Sequence, residues 1–305
     1  MKSESTTIST RRHEDRAAAR YRPRNFKGRR MRIANRVVAY TLLIVIVFTM
    51  AMPLFWMGLS SLKTEGENLS YPPTIIPQRW TLEHYRLLFS RTQFPLWFRN
   101  SLLVAVGTSL TAIAVSAMGA YVFSRFRYRF FDVFSRVILF AYMLPSILLL
   151  IPVFKIVWSL KLSNSLYGLL LVYNAFLIPY GLWTLRSYFS GIPHEIEEAA
   201  LIDGCSRWRA FIQVVLPLAL PGLIATGLFA FHVAWNEYLY ASVLLWSSDL
   251  MTLSAGVATF MGELAPASWG LLMAAGVMIT LPVIILFSLM QSFLVAGWGG
   301  GAVKG

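Results

Sequence analysis

A single cysteine, Cys205, in 305 residues excludes an intrachain disulfide and the stapled folds that depend on one. Acids are scarce as well. There are 14 Asp and Glu against 27 Lys and Arg, and charged residues make up only 13% of the chain. A water-solvated domain carries roughly a quarter. The four histidines, His13, His84, His194 and His232, do not group with Cys205 or with one another at metal-ligand spacing. No GxxxxGK[ST] stretch occurs, so the chain does not bind ATP by that route. No spaced carboxylate pair and no nucleophile triad stands out. We expect no catalysis and no cofactor of the chain's own.

What is abundant is apolar surface. Hydrophobic residues make up 57% and the mean hydropathy is +0.60. Crossing the roughly 30 Å apolar core of a bilayer takes about 20 such residues per helix. Six runs qualify: Asn35 to Leu62, Trp97 to Ser124, Val133 to Val157, Leu166 to Tyr188, Leu216 to Leu245 and Ser268 to Ala296. Pro53 falls inside the first, Pro145 and Pro152 in the third, and Pro179 in the fourth, where they should shape the helices. The expected fold class is therefore an all-α polytopic membrane protein with six transmembrane helices. Its expected parts are a basic, unstructured tail (1–33), a six-span membrane domain (34–296) containing a loop at 189–217, and a glycine-rich end (297–305).

The net charge of +13 raises the question of nucleic acid, but its distribution answers it. Twelve of the 27 basic residues precede Val37, directly before an apolar run, as on the inner side of a first membrane helix. The stretch is too long, and lacks the small-residue site, for a cleaved signal. With the N-terminus inside, twenty basic residues fall on inner segments and seven on outer ones. That asymmetry places both termini in the cytoplasm.

The segment 189–217 carries the sharpest signal. Pro193 suits the first position of a helix. Glu195, Glu197 and Glu198 crowd its first turns, where the helix dipole favours acids. Ile196, Ala199, Ala200 and Asp203 share one side. Gly204 can end the helix in a left-handed conformation, and Ser206 can cap a second helix. The result is helix, turn, helix, projecting from the inner face. Paired alanines give a flat surface that fits a narrow cleft, and Glu198 offers it a charge. The plainer alternative is an amphipathic loop lying on lipid, but such helices are rich in Lys and Arg, and this one has acids only.

Within the spans, His232, Asn236 and Tyr240 recur every four residues, with Glu237 beside them. Polar groups in a membrane face a protein interior or a water-filled cavity. These four line a path through the membrane, or pair with another subunit, or sit in the outer interface and merely position the helix. Asn100 and Ser101 either cap the second span, which their residue types favour, or line the same path. Gly107, Ser109, Ser116 and Gly119 read as packing residues.

The pattern Glu198-Ala199-Ala200, Gly204, Val214 and Leu216-Pro217 resembles the EAA motif of permease subunits of binding-protein-dependent ABC importers. Val214 stands where the family usually has Ile. The resemblance extends over most of 35–305 and is nearest to maltose-transporter-type sugar permeases. Trp97-Phe98-Arg99-Asn100-Ser101, Ala234-Trp235-Asn236-Glu237-Tyr238-Leu239 and Gly300-Gly301-Ala302-Val303-Lys304-Gly305 match it too. The resemblance implies the type I importer permease fold in a bacterial inner membrane. It implies coupling to ATPase subunits through Glu198, Ala199, Ala200, Asp203 and Gly204, and a tail (Gly301, Val303, Lys304) reaching between those subunits. The implied partners are a second homologous permease, two ATP-binding subunits that hold ATP and Mg, an extracytoplasmic solute-binding protein and membrane lipid. The implied cargo is a sugar or derivative: an oligosaccharide, monosaccharide, polyol, sugar phosphate or sulfonate. An ion-coupled secondary transporter would instead place charges near the membrane midplane. An ABC importer permease for a non-sugar solute would share the loop but match the other segments less well.

Overall fold

A helix apolar on every face has no reason to be at a water surface, and most of this chain is built from such helices. A computed structural model describes residues 26–126, 128–263 and 268–299. Every regular element among them is helical. The chain divides into two units inside its first helix, at Phe55 and Trp56. The first unit is the run within α1 (Phe26–Ser61), where every side chain from Asn35 to Met50 is exposed. That run is predominantly apolar, as a lipid-facing span requires.

The second unit begins at Trp56. It contains α2 (Glu65–Asn68), α3 (Glu83–Arg91), α4 (Phe94–Arg125), α5 (Arg129–Tyr142), α6 (Leu150–Ser159), α7 (Leu166–Ser190) and α8 (His194–Ile202). These are followed by α9 (Arg207–Ala210), α10 (Leu216–Leu218), α11 (Leu220–Asn236), α12 (Leu239–Leu244), α13 (Leu253–Glu263) and α14 (Trp269–Gly299).

Helices α4, α7 and α11 form the centre, and small residues let them approach closely. A Cβ on Gly107 would stand 2.9 Å from Leu170, one on Gly181 2.5 Å from Ser116 Oγ, and one on Gly227 2.4 Å from Ile113. Hydroxyls then bond across the gaps. Ser109 Oγ donates to Gly227 O at 2.8 Å and Ser116 Oγ to Ile178 O at 3.0 Å. The packing role expected for Gly107, Ser109, Ser116 and Gly119 matches this geometry. One large apolar core joins α4, α7, α11, α13 and α14. A smaller one, around Tyr121, Phe189, Phe211 and Val215, closes the end near α8.

Four helices among the described residues are long and apolar enough to cross a bilayer: 35–61, α4, α7 and Trp269–Phe293. The bent pair Arg207–Leu218 and Leu220–Asn236, at 77°, makes a fifth candidate. Two expected helices are not continuous. The run Val133 to Val157 breaks after Tyr142, and Pro145 opens a single 3₁₀ turn, Ser146–Leu149. Proline disfavours the helical conformation in the residue before it. The run Leu216 to Leu245 is interrupted at Ala219, between Pro217 and Pro221, and again at Glu237 and Tyr238.

At the end opposite α8, the segment after α1 is tied down by polar groups. Glu65 accepts from Trp269 N (2.8 Å) and Gly270 N (3.0 Å), capping α14. His84 Nε2 lies 2.8 Å from Lys63 O. The Lys63 ammonium donates to Thr74 O and sits 4.7 Å from the Trp56 ring centre. His84 is buried on α3.

Candidate docking site and the polar groups of the bundle

Helix α8 starts one residue after Pro193, which occupies the cap position. It ends as its sequence dictates. Gly204 has φ +88°, Cys205 N donates to Ala200 O (3.0 Å) and Gly204 N to Leu201 O (3.1 Å). This pair of bonds is the Schellman closure, and its left-handed position favours glycine. Ser206 then accepts from Arg209 N at 3.3 Å and starts α9. The expected helix–turn–helix is present.

The two faces of α8 differ in chemistry. Glu195, Ile196, Glu198, Ala199, Ile202 and Asp203 are exposed, and Ala200 is half-buried. Ile202 is 86% exposed, a bare apolar side chain flanked by acids. The sequence reading missed it, although its place four residues after Glu198 puts it on the same face.

Glu197 points the opposite way. Its side chain is 6% exposed and that of Arg125, the last residue of α4, 3%; Arg125 Nε and Glu197 Oε2 are 2.7 Å apart. Tyr121 Oη donates to Glu197 Oε1, and Arg125 Nη1 donates to Ile192 O at 3.2 Å. Counting Glu197 simply as one of several dipole-stabilising acids hid this contact. The available signal was Arg125 itself, a base at the end of an apolar run with an acidic loop next in space.

The polar residues of the fifth run do not form one stripe. His232 and Asn236 are exposed on α11, and Asn236 Nδ2 donates to His232 O at 2.8 Å. The helix then breaks, and Glu237 caps α12 by accepting from Tyr240 N (2.8 Å) and Ala241 N (3.1 Å). Tyr173 donates its hydroxyl to the same carboxylate. Tyr240 is buried, donating to Ser146 O at 2.7 Å and packing on Phe176. A four-residue repeat needs an unbroken helix, and Glu237 ends it.

Asn100 and Ser101 are not caps of their own helix, which begins earlier, at Phe94. Asn100 Nδ2 donates to Asp249 O (2.9 Å) and Met251 O (3.0 Å). Ser101 Oγ accepts from Leu253 N (2.6 Å) at the start of α13. Both pin the 248–253 segment to α4. Gly301, Val303 and Lys304, and the tail 1–25, lie outside the described residues. Among the described residues no group of His, Cys, Asp or Glu could hold a metal ion.

A bundle of long apolar helices that presents an acidic, two-faced helix at one end is the architecture of a transport permease. A family model described as binding-protein-dependent transport system inner membrane component matches residues 112–299, and the chain belongs to this family. It is 37% identical over 276 residues to the inner membrane ABC transporter permease protein YcjP of Escherichia coli (strain K12), covering 90% of this chain and 98% of that one. It is 33% identical over 274 residues to the diacetylchitobiose uptake system permease protein DasC of Streptomyces coelicolor, covering 90% and 98%. It is also 33% identical over 278 residues to the trehalose/maltose transport system permease protein MalG of Thermococcus litoralis, covering 90% and 99%. A solved bacterial ABC transporter involved in import of the acidic polysaccharide alginate superposes with a TM-score of 0.74 at 24% identity, over 86% of this chain and 96% of that one. A second alginate transporter structure, in complex with an alginate pentasaccharide-bound periplasmic protein, gives a TM-score of 0.61 at 12% identity, over 87% and 94%. The fold is the type I ABC importer permease fold.

Proposed function

We propose that this chain pairs with a second, homologous permease to form the membrane path for a sugar or sugar derivative. An extracytoplasmic solute-binding protein delivers the cargo. Two ATP-binding subunits, which hold ATP and Mg, dock on the cytoplasmic face and supply the energy; this chain performs no bond chemistry. The observation that carries the reading is the exposed face of α8, where Glu198, Ala199, Asp203 and Ile202 meet solvent around a glycine-closed turn. An apolar anchor ringed by acids suits a cleft with an apolar floor and a basic rim. The names of the diacetylchitobiose and trehalose/maltose relatives support the sugar class. The pentasaccharide-bound periplasmic protein in the alginate complex supports a binding-protein partner.

The mechanism is alternating access. ATP-driven closure of the ATPases displaces α8, and the bundle re-packs to change which side is open. On this reading both termini are cytoplasmic, and Gly301, Val303 and Lys304 are the residues of the tail that contact the ATPases. His232 and Asn236, exposed on α11, are the better candidates for the path. Glu237 and Tyr240 shape the break beyond them.

The test is Glu198→Lys and Ile202→Asp, each in the assembled complex, with ATPase co-purification and cargo uptake measured together. Both variants should lose ATPase and uptake while the two permeases still co-purify. Wild-type ATPase recovery and uptake in both would refute docking on α8.

A further inference from the structure

The buried side of α8 is as specific as its exposed side, and docking does not use it. Glu197 meets Arg125 in a nearly solvent-free ion pair, Tyr121 donates to the other carboxylate oxygen, and Arg125 also holds Ile192 O, just before α8. Arg125 Nη2 is buried with no acceptor among the described residues. The Tyr121 ring lies 4.6 Å from that of Phe211 and meets Phe189 edge-on at 6.5 Å. Tyr121 thus ties the pair to a buried aromatic cluster.

Arg125 is the last residue of α4, a 32-residue helix, roughly 48 Å long at 1.5 Å per residue. The same helix bonds α11 and α7 through Ser109 and Ser116. At its far end Asn100 and Ser101 hold the 248–253 segment. One continuous helix thus runs from the docking helix to the opposite end of the bundle, joined to α8 through Glu197, which both Arg125 and Tyr121 hold.

We infer that Glu197 and Arg125 are the positioning residues that transmit displacement of α8 to α4, coupling ATPase motion to the opening of the path. This rests on the docking reading above, and assigns the inner face of α8 a task separate from its outer face. Removing one partner of a buried pair leaves the other charge uncompensated, whereas replacing both with neutral groups of similar volume is often harmless to stability. The double variant therefore separates coupling from folding.

The experiment uses the full complex in proteoliposomes, with binding protein and sugar. Glu197→Gln/Arg125→Met, the two single variants, Arg125→Lys and the docking control Glu198→Lys are compared. ATPase co-purification, thermal stability, ATP hydrolysis and sugar moved per ATP are recorded for each. For the double variant we expect a thermal stability above that of either single variant and short of wild type, since Ile192 O loses its donor, together with wild-type ATPase recovery, continued hydrolysis and an approximately tenfold drop in sugar moved per ATP, within the usual range of coupling between sites. Arg125→Lys, which keeps a charged donor, should recover part of the loss. A double variant that transports as well per ATP as wild type would overturn the inference, because packing alone would then suffice. A double variant that loses ATPase as Glu198→Lys does would also overturn it, placing Glu197 in docking. If Glu198→Lys keeps its ATPase, it is the docking reading that fails.

Discussion

Replacing Gly204 with alanine tests whether the motif's glycine serves this chain's backbone or a partner's surface. The residue has φ +88°, and a Cβ there would meet nothing among the described residues within 4 Å. Alanine therefore adds no clash with them, only the left-handed penalty of about 1–2 kcal/mol. That corresponds to a factor of roughly 5–30 in the population of the closed turn. Asparagine tolerates this region better than other non-glycine residues, so Gly204→Asn should recover most of the loss. The chain supplies its own probe, because its sole cysteine is Cys205, whose N–H closes the turn on Ala200 O. Maleimide labelling of Cys205, read by mass on this chain, should quicken up to roughly 5–30-fold in Gly204→Ala and much less in Gly204→Asn. Uptake should follow the same order. If both variants label at the wild-type rate yet both abolish uptake, backbone strain is the wrong explanation, and the glycine is there to clear a neighbouring subunit.

Three further outcomes are expected. Asn100→Ala strands two carbonyls that Asn100 now satisfies and should cost about 2 kcal/mol or more, seen as a lower unfolding temperature in detergent. Gly270→Ala would place a Cβ 2.0 Å from His84 Nε2, forcing the ring off Lys63 O; protease sensitivity of the 63–80 segment should rise, and unchanged sensitivity would count against that packing. Hydrogen bonds from the Gln78 N–H and the Thr74 hydroxyl hold the Glu67 carboxyl below its usual 4.5. Its contribution is therefore present above pH 4.5 and lost as pH falls through the lowered folded value. Glu67→Gln should loosen the same segment at neutral pH and flatten its acid dependence; an unchanged acid profile would assign that dependence to another group.

Hydropathy located the four long spans because lipid imposes one rule along a whole helix. The ends of α4 and α7 fall within a few residues of the expected limits. Hydropathy failed where the chain stays apolar but the helix stops, at Pro145 and at Glu237. At Pro145 the proline itself was the visible cue. Glu237 ends α11 by capping the next helix, a role that depends on Tyr173 from a distant segment and is invisible to periodicity. Asn100 and Ser101 were misread for a related reason. Their residue types suit caps, and Ser101 does cap a helix, but one about 150 positions further along the chain.

The loop at 189–217 was legible in outline because its signals are local: acids in a first turn, a left-handed glycine and a capping serine. What local signals could not supply is which acid faces where. Glu195, Glu197 and Glu198 look equivalent to a dipole argument, yet Glu197 alone turns inward, because the base that neutralises it ends a helix some seventy residues earlier. The turn at Gly204 closes α8 on its own carbonyls and sets where the helix ends. The contacts of Arg125 and Tyr121 set its rotation, holding Glu197 inward while Ile202 stays in solvent. The motif's glycine is thus legible as a local stop, whereas the division of the helix into two faces is written in residues of α4.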